Sequence, residues 1–461
     1  MDPLAVREIS SCTIRPRRKL AQAPPQRCDL TPWDVRLLFL RYSQKGLLFH
    51  RPYPPDGQEE EPISNIIERL KHALSHVLVH FYPLAGRFVF ENDASSSSSS
   101  SSHVYIDCND AGAEFIHAFA DISVTDVLAP VDVHPILQSF FPLNGAVNCD
   151  GSSLPLVALQ LTELTDGFFL ACSFNHVFGD GSSFWHFFKS WSEIYKSNIS
   201  GENEPLVDIS RPPVIHRWFP SRNPPPVSLP FSSVDEYIER HSFPRIRQRF
   251  FDLTGESIAR LKAKANQEYK TDRISCFQAL SAHVWISITR ARALPADQLT
   301  VFGCPIDNRS RLQPPLSRDY LGNCTQIAVA IVNAGELLAN GLGWAAWQLH
   351  QCVAEHNDDV IRSTYAGLGR EFVLPSKLDN RNVGASSSPR FDLYGVDFGW
   401  EKAVAVRSGW DNKFDGMVLF FPGREGGGSM DLELCLAPEV MCALESDKEF
   451  MNLVSPFLLK E

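Results

Sequence analysis

From residue 63 the chain reads ISNIIERLKHALSHVLVHFYPLAGR, with Ile63, Ile66, Ile67, Leu70, Leu74, Val77, Leu78 and Phe81 three and four apart. That period predicts an amphipathic helix with one face in a core, ended by Pro83 and Gly86. A short strand-like RFVF follows, then eight consecutive serines, Ser95 to Ser102, predicted to form an expanded hairpin loop because they cannot pack. In LVALQLTELTDGFFLACSF the period changes to two. Val157, Leu159 and Leu161 alternate with Ala158, Gln160 and Thr162, which predicts a strand with one buried face. Asp166 and Gly167 supply a turn, and Phe168 to Phe174 read as a second strand buried on both faces. After HVFGD, helical spacing returns at Phe184, Phe187, Phe188, Trp191, Ile194 and Tyr195. The pattern therefore puts His176 at the end of a buried strand and Asp180-Gly181 just before a helix.

Between Ser197 and Pro230 the composition turns rich in Pro, Ser and Asn. This divides the chain into an N-terminal domain (1–200), a crossover linker (201–230) and a C-terminal domain (231–461). The second part opens with two predicted helices in GESIARLKAKANQEYKTDRISCFQALSAHVWISITRAR, the latter turning Ile274, Phe277, Leu280, Val284 and Ile288 inward. Strand-like LTVFGCPID and CTQIAVAIV follow, and KFDGMVLFFPGREGGGSMDLELCL reads as a hairpin. At 461 residues the chain exceeds one core of ordinary size, so two similar domains or two halves of a large one are expected.

A net charge of −11 argues against nucleic acid and anionic membranes as partners, and no apolar run is long enough to span a bilayer. Eleven scattered cysteines without a C-x-x-C read as reduced thiols, and the two ends carry no targeting signal, so a cytoplasmic location is expected. Metal binding is not expected, because no H-E-x-x-H or cysteine pair occurs. The glycines of GREGGG, Gly423 to Gly428, lack the Lys-Ser/Thr end of a phosphate loop and read as a turn.

The chemistry centres on His176 and Asp180 in HVFGDG. A histidine at a strand end can face a cavity on a rigid backbone and take a proton from an attacking hydroxyl or amine. Asp180 could set the ring's tautomer, or turn away and fix the loop through a basic partner. On these residues alone, catalysis and a structural His–Asp pair stay equally open. A second His-x-x-x-Asp, His117 to Asp121, leads into ISVTDVLAP without a strand–turn–helix pattern.

HVFGDG together with DFGWE (Asp397 to Glu401) resembles the paired signatures of the plant BAHD acyltransferases, H-x-x-x-D-G and D-F-G-W-G. The similarity runs through LTPWD (30–34), YPLAGR (82–87), NDAGAEF (109–115), ISCFQALSAHVW (274–285) and DNRSRLQPPL…YLGN (307–323). YSQKGLLFHRP and FPGREG look most like an acetyltransferase-like branch of that family. The resemblance implies an α/β fold of two chloramphenicol-acetyltransferase-like domains, each a mixed sheet with flanking helices, with the active-site channel between them. A segment near 397–422 would complete the first domain's sheet.

It also implies direct transfer of an acyl group, acetyl foremost, from coenzyme A to a hydroxyl or amine of a plant metabolite by a monomeric enzyme without a resident cofactor. His176 would be the general base, Trp400 a donor near the tetrahedral intermediate, and Asp397 a second active-site residue acting chiefly on its loop. Asp180 would pair with Arg309. Trp33 and Asp34 are expected to border the acceptor pocket, with a structural role an equal reading. Ser275, Lys264 and Arg260 are the expected coenzyme contacts; for the two cations a solvated helix surface is an equal reading. Glu401 replaces the family's final glycine; it is expected to face solvent, and would cost roughly 1–2 kcal/mol if that backbone were left-handed. The alternatives are a lyase of the same fold, releasing salicylate from isochorismoyl-glutamate, and a non-catalytic binding protein.

Overall fold

The computed structural model describes residues 5–17, 26–52, 61–92, 102–197, 206–220, 227–229, 245–368 and 381–455. The serine tract up to 101, and linker residues 201–205 and 221–226, lie outside them. The first half contains β1 (Arg7–Ile14), β2 (Arg27–Asp29), α1 (Pro32–Val35), β3 (Ser43–His50), α2 (Ile63–His80), β4 (Arg87–Asn92) and β5 (Ser102–Asp107). It continues through β6 (Ala113–Phe119), α3 (Val124–Leu128), β7 (Val157–Glu163), β8 (Gly167–Phe174) and α4 (Gly181–Lys196).

The second half has β9 (Ser228–Leu229), β10 (Arg247–Leu253), α5 (Gly255–Tyr269), α6 (Cys276–Ala291), β11 (Leu299–Asp307), β12 (Thr325–Asn333), α7 (Ala334–Glu355) and α8 (Asp358–Leu368). After β13 (Asn382–Ser386), β14 (Ala405–Ser408), β15 (Met417–Pro422) and β16 (Met430–Leu436) come α9 (Pro438–Ser446) and α10 (Lys448–Met451).

Two six-stranded mixed sheets organise these elements, in the orders β1-β6-β7-β8-β3-β14 and β10-β16-β15-β13-β11-β12. A small sheet, β2-β5-β4, carries β9 on β5. β14 belongs to the second half of the sequence but pairs antiparallel with β3, Ala405 opposite Leu48 and Ser408 opposite Lys45. Of the segment 397–422, only these four residues extend the first sheet. β15 lies in the second sheet, between β13 and β16.

α2 and α4 bury their apolar stripes against one face of the first sheet. The opposite face is covered by Ile122, Val127, Ile136, Leu137, Phe140 and Phe141, packed on Phe169 and Ala171. Burial of both faces corrects the reading of β7: Gln160 and Thr162 are also buried. The interior tolerates them because their polar atoms are bonded; Gln160 Nε2 donates to Ser139 O and to Thr162 Oγ1, each at 3.0 Å. In the second lobe, α5, α6 and α7 pack over Phe302, Ala330 and Val332. α7 is broken at Gly341, whose φ of +77° is a left-handed value that glycine adopts without Cβ strain.

Candidate active site at the junction of the lobes

β8 is buried from end to end, so the chain leaves it on a fixed trajectory. Asn148 then takes hold: its Oδ1 accepts the His176 backbone N–H at 2.8 Å, and its carbonyl accepts Asn175 Nδ2 at 2.8 Å. From the other lobe, Asn323 Nδ2 donates to the His176 carbonyl at 2.8 Å. The histidine backbone is thus gripped from both sides while its side chain stays half-buried. Nδ1 is enclosed without a hydrogen-bond partner, while the Asn323 side chain bears on the ring. Burial lowers the imidazole pKa; the Arg36 charge acts in the same direction, against opposing effects of the ring's own backbone carbonyl and Asp180. The neutral ring, the form that can accept a proton, is favoured at neutral pH.

Asp180 does not reach for this ring. It is the N-cap of α4, and its Oδ1 accepts the Ser183 N–H at 3.1 Å. Arg309 donates to both carboxylate oxygens, Nη1 to Oδ2 at 2.8 Å and Nη2 to Oδ1 at 3.0 Å, and the Cys324 N–H donates to Oδ2 at 3.0 Å. Both partners are almost fully buried. Burial alone would raise the Asp180 carboxyl, but the charge and hydrogen bonds of Arg309 outweigh it and hold the pKa below the ordinary value. This pair ties the start of α4 to the loop between β11 and β12.

Asp34 closes a second tie. Its Oδ1 accepts Asn323 N at 3.0 Å and Asn323 Nδ2 at 2.9 Å, and its Oδ2 accepts Thr31 N and Thr31 Oγ1, each at 2.8 Å. Arg217 stands 3.8 Å away. Trp33 is fully buried, stacked on Trp218 and edge-on to Tyr365. Of the two readings open for these residues, pocket border and structural role, their geometry is that of core and tether: Trp33 has no exposed surface and both Asp34 oxygens are engaged.

Trp400 and Asp397 stand away from His176, and Asp397 acts on its own loop. Asp397 accepts from Lys196 Nζ at 2.5 Å and from the Gly399 N–H at 2.7 Å. Lys196 ends α4, whereas Asp180 caps its start; sixteen residues of helix span about 24 Å. Trp400 packs against Phe49, Phe168, Tyr195 and Phe398, at the end of β8 remote from His176. A cavity of about 300 Å³ opens there, lined by Arg51, Arg69, Lys196, Phe398 and Trp400 among others. Trp400 therefore cannot donate to an oxyanion at His176. Glu401 is exposed, and the left-handed position in this loop is Gly399, with φ of +79°. The strain considered for Glu401 does not arise.

Of the expected coenzyme contacts, Arg260 and Lys264 share the exposed side of α5 and Ser275 caps α6. Ser275 is exposed as the N-cap of α6, reciprocally bonded with Gln278. Arg260 donates to Glu256 at 2.9 Å, and Lys264 lies between Glu268 and Glu449, at 3.9 and 3.8 Å, on the exposed side of α5. Acidic partners make that surface a poor clamp for phosphates. His117 also differs from expectation: it lies on a strand, β6, and is followed by the short helix α3. Its Nε2 meets Glu163 Oε1 at 2.6 Å instead of Asp121, which is exposed.

Three residues of the junction carried no sequence signal for their roles: Asn148, Asn323 and Arg36. No disulfide joins any of the eleven cysteines. Among the described residues no metal-ligating cluster occurs, and no helix is long and apolar enough to cross a membrane.

A half-buried histidine thus stands at the seam of two mixed α/β lobes. The chain belongs to the family described as Transferase family, whose model matches residues 4–451, and with it to the BAHD acyltransferases. An uncharacterized acetyltransferase of Arabidopsis thaliana is 36% identical, covering 96% of this chain and 98% of its own. The BAHD acyltransferase DCR of Arabidopsis thaliana is 32% identical, over 92% and 88%. Vinorine synthase superposes with a TM-score of 0.72 at 20% identity, over 98% and 99%. F. graminearum TRI101, complexed with coenzyme A and T-2 mycotoxin, superposes with a TM-score of 0.71 at 18% identity, over 93% and 99%. The fold is thus the two-lobed chloramphenicol-acetyltransferase-like one, and the protein is an acyltransferase enzyme.

Proposed function

We propose that the protein moves an acyl group, acetyl foremost, from coenzyme A to a hydroxyl of a plant specialised metabolite by direct displacement at His176. The observation that carries this reading is the half-buried imidazole, its backbone held from both lobes, while Asp180 is committed to Arg309. His176 takes the acceptor's proton as its oxygen attacks the thioester carbon. The tetrahedral intermediate collapses by breaking the C–S bond, and the thiolate leaves with the proton from the imidazolium. No acyl-enzyme forms.

Kinship with an acetyltransferase and the CoA complex of a protein of the same fold support the donor class. Acceptor and coenzyme would approach His176 through a channel between the lobes. The test is thiol release from acetyl-, malonyl-, benzoyl- and hydroxycinnamoyl-CoA with a pool of plant alcohols and amines. Acceptor-dependent release, lost in His176→Ala, is expected. Release that persists in the variant overturns the reading, as does coenzyme-independent breakdown of isochorismoyl-glutamate in its place.

A further inference from the structure

Arg36 follows α1 as its C-cap, two residues after Asp34. Because Asp34 is fastened to Asn323, the Arg36 side chain enters the junction, where Nη2 donates to Thr325 O at 2.7 Å. Thr325 directly follows Asn323, which holds the His176 carbonyl, and Cys324, which holds Asp180. The guanidinium is therefore fixed to the same three-residue segment that grips the catalytic turn. Its Nε is buried without a hydrogen bond, and among the described residues no carboxylate comes within ion-pair distance.

The nearby acids are engaged: Asp180 by Arg309, Asp34 by Asn323 and Thr31. Burial pulls the Arg36 pKa below its ordinary value, and Asp34 offsets this only in part. The charge is also felt at the His176 ring. A shielded cation without a counter-ion is costly, and the planar fork of arginine matches a carboxylate.

We propose that Arg36 receives a carboxylate of the substrate beside the reacting centre, making this an enzyme for acidic substrates. The carboxylate comes either on the acceptor, a hydroxy acid, or on the acyl group, as in malonyl-CoA. The inference rests on the reading of His176 as the base, and its test separates the two.

Shikimate and 3-hydroxybenzoate are each compared with their methyl esters using acetyl-CoA, and malonyl-CoA is compared with acetyl-CoA using the esters. The proteins are wild type, Arg36→Gln and Arg36→Lys. In R36Q, kcat/KM should fall about tenfold to a hundredfold further for the carboxylate-bearing partner than for its neutral counterpart, and this difference should be smaller in R36K. The donor or acceptor arm that shows this identifies the source. Equal losses for acid and ester make Arg36 a lobe strap and overturn the proposal, as does the absence of any preference in the wild type. Should no transfer occur with any pair, thermal unfolding with shikimate and with malonate decides. A rise in Tm in wild type and not in R36Q keeps the carboxylate site although transfer has failed. No rise with either rejects it.

Discussion

The His176 imidazole is half-buried, with Nδ1 enclosed and without a hydrogen-bond partner. Burial, reinforced by Arg36 and opposed by Asp180, lowers its pKa from 6.5. The acid limb of kcat/KM is therefore expected below pH 6.5; a limb above it would show the ring charged in the free enzyme. Stability follows the same sign. Below about pH 6.5 the unfolded chain takes up a proton that the folded ring resists, so this group's contribution declines as pH falls toward the folded pKa. His176→Ala should cost roughly 10²–10⁴ in rate, and His117→Ala, remote from the junction, little. Asp180→Asn removes the buried counter-charge of Arg309 and leaves it only the half-exposed Asp307, which predicts a loss of up to about 3–5 kcal/mol in chemical denaturation. Full stability with lost activity would instead make Asp180 a partner of the ring. The pair's contribution is present above the unfolded Asp pKa of about 3.9 and is lost as pH falls through the lower folded value.

α4 joins two places with different work: a charged cap at Asp180 and, at Lys196, an aromatic knot around Trp400. Trp400→Ala should lower stability by roughly 2 kcal/mol, since the ring is only half-buried, and leave kcat of the folded fraction nearly unchanged. An oxyanion donor would cost about 10²–10³ in kcat, so the two readings separate in one assay. The sequence located α4 well because its apolar residues keep helical spacing, and the same holds for α2, α5 and α6. It did not reveal β1, an exposed and polar edge strand, or α7, whose period is interrupted at Gly341. The motif around Trp400 was plain in the sequence, but its distance from His176 was not. That distance follows from a helix running between them, a fact of packing that spacing within a motif does not encode. Arg36 and Asn323 were illegible for a related reason: their partners lie hundreds of positions away.

At the scale of the molecule, β14 makes the lobes depend on one another. Residues after it are stitched into the first lobe, with the Asn412 side chain bonding both the N–H and the carbonyl of Arg41, each at 2.8 Å, and Asp411 accepting the Gly145 N–H at 2.9 Å. Between the sheets, Lys413 pairs with Glu433 of β16 in full burial, and Glu433 also accepts from Ser408 Oγ at 2.5 Å. Glu433→Gln leaves the Lys413 ammonium without its counter-charge, which predicts a loss of about 3–5 kcal/mol. Because that charge touches both lobes, the loss should fall on the whole protein. Calorimetry should show one transition, moving as a unit to lower temperature in the variant. A fragment ending at 396, lacking β14, would expose the β3 edge and is expected to aggregate, since an unpaired strand edge templates association. Two separate transitions, only one of them shifted by Glu433→Gln, would mean that the lobes stand independently. The seam holding His176 between Asn148 and Asn323 would then have to be maintained by substrate instead of by the fold.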